Sequence, residues 1–120
     1  MAILRYQYDD LMNPVLSALR QLGGSGTNDE INEKVAELVN IPSEQLEILH
    51  NPEKGGMTEY EYRLMWTRTY LKRYGLVDNS ARGVWSLTPN GSVTGHINEK
   101  EVVRFVRELM KKDKEISEQD

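Results

Sequence analysis

Trp66-Thr-Arg-Thr-Tyr-Leu-Lys-Arg-Tyr-Gly-Leu76, followed closely by Arg82-Gly-Val-Trp-Ser-Leu-Thr88, reads as a helix that runs directly into a short β-hairpin. The helix opens at Thr58-Glu-Tyr-Glu61, a threonine with a glutamate three residues on, so that each side chain can bond the other's backbone N–H. Tyr60, Leu64, Thr67, Leu71 and Tyr74 recur at the spacing of one helix face and predict its buried stripe. Gly75 stands where a left-handed residue ends a helix, and Leu76 supplies the apolar contact that usually follows. Leu76-Val77 and Val84-Trp-Ser-Leu87 are β-type runs, separated by the turn-rich Asp78-Asn-Ser-Ala-Arg-Gly83. A helix followed at once by such a hairpin is the pattern of a winged helix.

On the side opposite the stripe, the same spacing turns Glu61, Tyr62, Met65, Arg68, Thr69 and Lys72 outward, with Thr58 at the helix start. That face mixes cations, hydroxyls and adaptable apolar groups, as a surface lying in a DNA groove does. Arg68 and Lys72 can reach bases or phosphates, since a guanidinium can engage guanine with two parallel hydrogen bonds. Arg73, and Arg82 at the hairpin tip, suit phosphate contacts. Tyr62 and Met65 are placed to touch a thymine or cytosine methyl. An ordinary solvated helix face would carry similar charges. Trp66, Tyr70, Tyr74 and Trp85 are read as core rather than as platforms for a flipped base. Arg63, on the shoulder beside Tyr70, suits pairing with a helix carboxylate as well as it suits DNA.

Upstream, Leu11, Val15, Ala18 and Leu22 predict an amphipathic helix over about residues 8–22, beginning near Asn13 if Pro14 is to be tolerated. Gly23-Gly-Ser-Gly26 reads as a linker, lacking the Lys-Ser/Thr of a phosphate loop. Thr27-Asn-Asp-Glu30 repeats the capping pattern, with Ile31, Val35 and Leu38 inward. Pro42-Ser-Glu-Gln-Leu46 starts a short helix with Ser43 as cap, carrying Leu46 and Leu49 inward. Downstream, Thr88-Pro89 can start a helical turn. Gly91-Ser-Val-Thr-Gly95 reads as a linker, and Asn98-Glu-Lys-Glu101 caps a last helix to about Lys114. The stripe Val102, Phe105, Val106 and Leu109 of that helix must be buried, either on its own domain or in a homodimer.

The 120 residues suffice for one domain at 1–95 with a helical appendage at 96–120. Net charge is −4, yet residues 1–57 hold four Lys/Arg against nine Asp/Glu, while residues 58–97 hold five against three. Bulk attraction to nucleic acid is thereby excluded, and one basic face is favoured over a coat of charge. No cysteine is present, so disulfides and thiolate chemistry are excluded. His50 and His96 stand alone, and no metal or other cofactor is expected. No run approaches the roughly 20 apolar residues of a membrane span, and the opening residues lack the marks of a secretory signal. A cytoplasmic protein is expected.

The segment 66–76, taken with Arg82-Gly-Val-Trp-Ser-Leu-Thr-Pro-Asn-Gly91, resembles the N-terminal domain of the Mrr restriction-system family. Tyr8-Asp-Asp-Leu-Met12 with Pro14-Val-Leu16 is similar to that family's opening helix, and the resemblance spans about residues 6–92. It implies an α+β winged helix-turn-helix: three or four helices, a two-stranded wing and here an additional C-terminal helix. It further implies binding of double-stranded DNA, usually beside a separate or fused nuclease domain that cuts modified, often methylated, foreign DNA. Nucleases of that type hold Mg²⁺ with carboxylates beside a Glu/Gln-x-Lys lysine, and no such triplet occurs in this chain. The expectation is a recognition module without a catalytic site, either cut from a longer protein or standing alone. The alternatives are a small dimeric winged-helix transcriptional regulator and a winged helix turned to protein–protein contact.

Overall fold

Two threonines set the frame. Thr27 Oγ1 accepts from Glu30 N at 3.1 Å while Glu30 Oε1 accepts from Thr27 N at 2.9 Å. Thr58 and Glu61 repeat the exchange at 3.1 and 3.0 Å. Each exchange satisfies two N–H groups that the first turn of a helix leaves unpaired. The computed structural model describes residues 3–119, without the side chains of 118 and 119. Positions 1, 2 and 120 of the two expected segments lie outside the described residues. The described residues form α1 (Met12–Gln21), β1 (Ser25–Thr27), α2 (Asn28–Leu38), α3 (Ser43–Leu46), α4 (Glu59–Tyr74), β2 (Val77–Ala81), β3 (Val84–Leu87), α5 (Pro89–Val93) and α6 (Glu99–Gln119). The fold is α+β, six helices with one three-stranded antiparallel sheet in the order β1-β3-β2.

Met12, Val15, Leu16, Ala18 and Leu19 of α1 meet Ile31 and Val35 of α2 and Leu64 and Leu71 of α4 in a single cluster. Burying a large apolar side chain contributes about 1.5–3 kcal/mol, against about 1 kcal/mol for a cap. This cluster therefore holds the fold, and the caps fix where its helices begin. Pro14 falls in the first turn of α1, where its missing donor costs little. Gly75 ends α4 at φ 95° and turns the chain into Leu76, which is buried.

Several local expectations need correction. The glycine-rich segment after α1 is not a linker throughout: Ser25, Gly26 and Thr27 pair with Ser86, Trp85 and Val84, adding a third strand to the expected two. β2 runs on to Ala81, so the hairpin turn is only Arg82-Gly83, with Gly83 at φ 72°. Asn79 stiffens it, its Nδ2 donating to the carbonyls of Ala81 and Val84 at 2.9 and 2.8 Å. Ser43 does not cap α3: Pro42 occupies the cap position, without a side-chain bond. Leu49 is exposed rather than inward. The expected 91–95 linker is partly helical, since α5 continues to Val93.

The last helix begins as its capping pattern says, Asn98 Oδ1 accepting from Glu101 N at 3.1 Å, and runs past Lys114. It docks on its own domain. Val102 and Val106 are fully buried, Phe105 meets Tyr74 edge to face at 5.1 Å, and Arg107 donates to the Tyr8 hydroxyl at 3.2 Å. Asn13 pins the approach to α6 by exchanging both amide bonds with the backbone of Ile97. Half of the expected dimer stripe is thus occupied within the chain, and Phe105, at 47% exposure, with the half-buried Leu109 is what remains outside.

Candidate nucleic-acid interface

Most of the expected contact residues lie on the exposed side of α4 and on the adjoining hairpin, Arg68 being the exception, and their surroundings sort them. Lys72 and Arg82 are exposed, and among the described residues neither forms an ion pair. Met65 is exposed, and Thr69 is half-buried with its hydroxyl donating to the Met65 carbonyl at 2.9 Å. Thr58 and Glu61 are engaged with each other at the helix start. Arg73 is paired with Asp113 of α6.

Arg68 departs most from the outward face foreseen for it. It is 6% exposed, donates from Nη1 to Asn32 Oδ1 at 3.0 Å, and stands 5.8 Å from the centre of the Trp85 ring. Burial pushes its guanidinium below the usual value, against the opposing influence of Tyr60 and Glu61. The Tyr60 hydroxyl, raised by burial, donates to the Asn32 carbonyl at 2.7 Å. Asn28, one turn before Asn32, accepts from Trp85 Nε1 at 2.9 Å. Neither asparagine stood out in the sequence; only their one-turn spacing on α2 marks them as a pair.

Tyr62 is stacked on His50, ring centres 3.6 Å apart and nearly parallel, and meets Trp66 edge-on. Trp66 is 37% exposed, so it belongs to the surface rather than to the core expected for it. Tyr70 is buried against Tyr8, and Tyr74 and Trp85 are half-buried, as a packing role requires. Beneath the stack, His50 Nδ1 lies 2.9 Å from Glu59 Oε2, and Arg63 Nε donates to Glu59 Oε1 at 3.1 Å. Burial pushes the Glu59 carboxyl up, but the bonds to His50 and Arg63 together outweigh it and hold it below its usual value. Arg63 also donates to the carbonyls of Leu4 and Tyr6 at 3.0 and 2.7 Å. Its role is structural, strapping the N-terminal segment to α4.

Charge along the face is uneven. Asp29, Glu33 and Glu61 line a groove of about 440 Å³ between α2, α3 and the start of α4. Carboxylates there repel phosphate, whereas Lys72 and Arg82 lie toward the other end of α4 and on the hairpin. Among the described residues no group of three His, Cys, Asp or Glu side chains is placed to hold a metal, and no helix is long and apolar enough to cross a membrane.

A family model described as the Mrr N-terminal domain matches residues 8–95, from the turn before α1 to just past α5. No curated protein and no solved structure matches the chain.

Proposed function

Since the chain belongs to the Mrr N-terminal domain family, we propose that it is a cytoplasmic winged-helix module that binds double-stranded DNA for an Mrr-like restriction system. α4 enters the major groove, Arg82 on the hairpin touches the backbone, and catalysis is left to a separate or fused nuclease domain. The observation that carries the reading is the element order: α4 runs through Gly75 into β2 and β3, and β3 is paired to a strand standing just before α2. That order is compatible with a winged helix, and Lys72 and Arg82, exposed and without an ion pair among the described residues, stand on α4 and the hairpin. The match to an Mrr family supports the restriction role, and its being the N-terminal domain of that family supports leaving catalysis to another domain.

Of the contact residues, Lys72 and Arg82 supply charge, Met65 and Tyr62 apolar contact, and Thr69 a hydroxyl. Arg73 joins them only by leaving Asp113. Titrating labelled duplexes, methylated and unmethylated, at two salt concentrations tests the reading. Saturable binding that weakens as salt rises is expected, and no saturation at low salt contradicts it.

The acidic groove favours a second reading, in which a basic segment of a protein partner docks between α2 and α4. Pairing of two copies through Phe105 and Leu109 fits either reading. It predicts a concentration-dependent mass in light scattering that Phe105→Glu abolishes, and a monomer at all concentrations removes it.

A further inference from the structure

Arg68 is a buried cation without an ion pair among the described residues. Helix stability does not call for it, since a leucine or methionine would fill the space without the cost of desolvating charge. What the guanidinium supplies is two oriented contacts at once. Its edge bonds to Asn32 of α2, and the group lies within cation–π range of Trp85 on β3. Asn28 completes the arrangement from the same helix. Its side chain holds the Trp85 indole, and its backbone N–H donates to the Gly83 carbonyl, in the hairpin turn itself, at 3.0 Å. The path from α4 to the tip is therefore short: Arg68 to Trp85 and Asn32, both ends tied to α2, and Asn28 to the residue beside Arg82.

We propose that Arg68 is a positioning residue that clamps the hairpin to α2 and α4 and so fixes where Arg82 stands relative to the groove-facing side of α4. It acts on DNA through Arg82, not by contact. The effect on DNA rests on the winged-helix reading above; the clamp itself does not.

Arg68→Met keeps the apolar length and removes the two contacts. Hydrogen exchange on this variant is expected to show amides of 77–87 exchanging about tenfold faster while those of α4 keep their protection. Equal loosening everywhere, or no change in the hairpin, overturns the clamp. A double-mutant cycle with Arg82→Ala tests transmission. Arg68→Met alone is expected to weaken duplex binding about fivefold, and in the Arg82→Ala background to change it less than about twofold. Full additivity means Arg68 touches DNA independently and overturns the proposal. Should Arg68→Met fail to fold, Asn32→Ala cuts the same clamp from α2 and must give the same exchange pattern and the same non-additivity. A wild-type chain that binds no duplex refutes the functional reading and the transmission with it, and the exchange pattern then decides the clamp alone.

Discussion

Replacing Gly91 by alanine sets two effects of opposite sign against each other. Gly91 lies within α5, where glycine costs about 0.5–1 kcal/mol relative to alanine, so propensity alone favours the substitution. Sterics oppose it. A Cβ built at this position would stand 1.9 Å from the Leu76 carbonyl oxygen and 2.9 Å from its carbonyl carbon. The obstacle is backbone at the exit of α4, which cannot swing aside as a side-chain tip can. To make room, α5 must move away, and it is tied at that point. Thr88 N donates to the Leu76 carbonyl at 3.1 Å, the Thr88 hydroxyl to the Gly75 carbonyl at 2.6 Å, and Gly91 N to that hydroxyl at 3.0 Å. Overpacking costs about 1–3 kcal/mol, and a weakened hydrogen bond adds about 1 kcal/mol. The net expectation is a loss of about 2–3 kcal/mol, which lowers the melting temperature by about 8–12 °C for a chain of this length. Thermal and urea unfolding of Gly91→Ala beside Gly95→Ala make the test. Gly95 has nothing within 4 Å of an added Cβ and serves as the control. A Gly91→Ala protein as stable as the control would refute the close packing of α5 on the end of α4.

Arg63→Met should cost about 2–4 kcal/mol in urea unfolding, because it strands the carbonyls of Leu4 and Tyr6 and leaves Glu59 without its guanidinium. A loss under about 1 kcal/mol would mean the N-terminal segment is not held by this strap. Glu59 has its folded-state pKa lowered, so its contribution is present above the usual carboxylate range and is lost as pH falls through the folded value. The urea midpoint of wild type should therefore exceed that of Glu59→Gln at neutral pH and converge on it in acid; a gap that widens on acidification contradicts this network.

Local rules carried much of the fold. Both Thr-x-x-Glu starts, the buried stripe from Tyr60 to Leu71 and the left-handed Gly75 depend on residues within a few positions of one another, and each is found as read, with Tyr74 at the stripe's end half-buried. β1 was illegible because Ser25-Gly-Thr27 has no strand character of its own; it is a strand because β3 lies beside it. The same holds for the contact surface. Spacing put Arg68 outside the stripe, but Trp85 and Asn32, brought in from 17 and 36 positions away, cover it. Arg73 suits a phosphate by its place on α4, but Asp113, 40 positions downstream, pairs with it. Trp66 erred the other way: its aromatic bulk suggested the core, and its place on α4 leaves it exposed. Lys72 and Arg82 are exposed, and among the described residues neither forms an ion pair.

The claim that α4 and the hairpin form a DNA-binding surface meets its most direct test in the salt dependence of duplex affinity for wild type and for Lys72→Ala with Arg82→Ala. If both cations lie on phosphates, the slope of log affinity against log salt becomes shallower by about two in the double variant, in step with the counterions no longer released. An unchanged slope, with affinity unchanged, would place the duplex elsewhere on the molecule or remove it altogether.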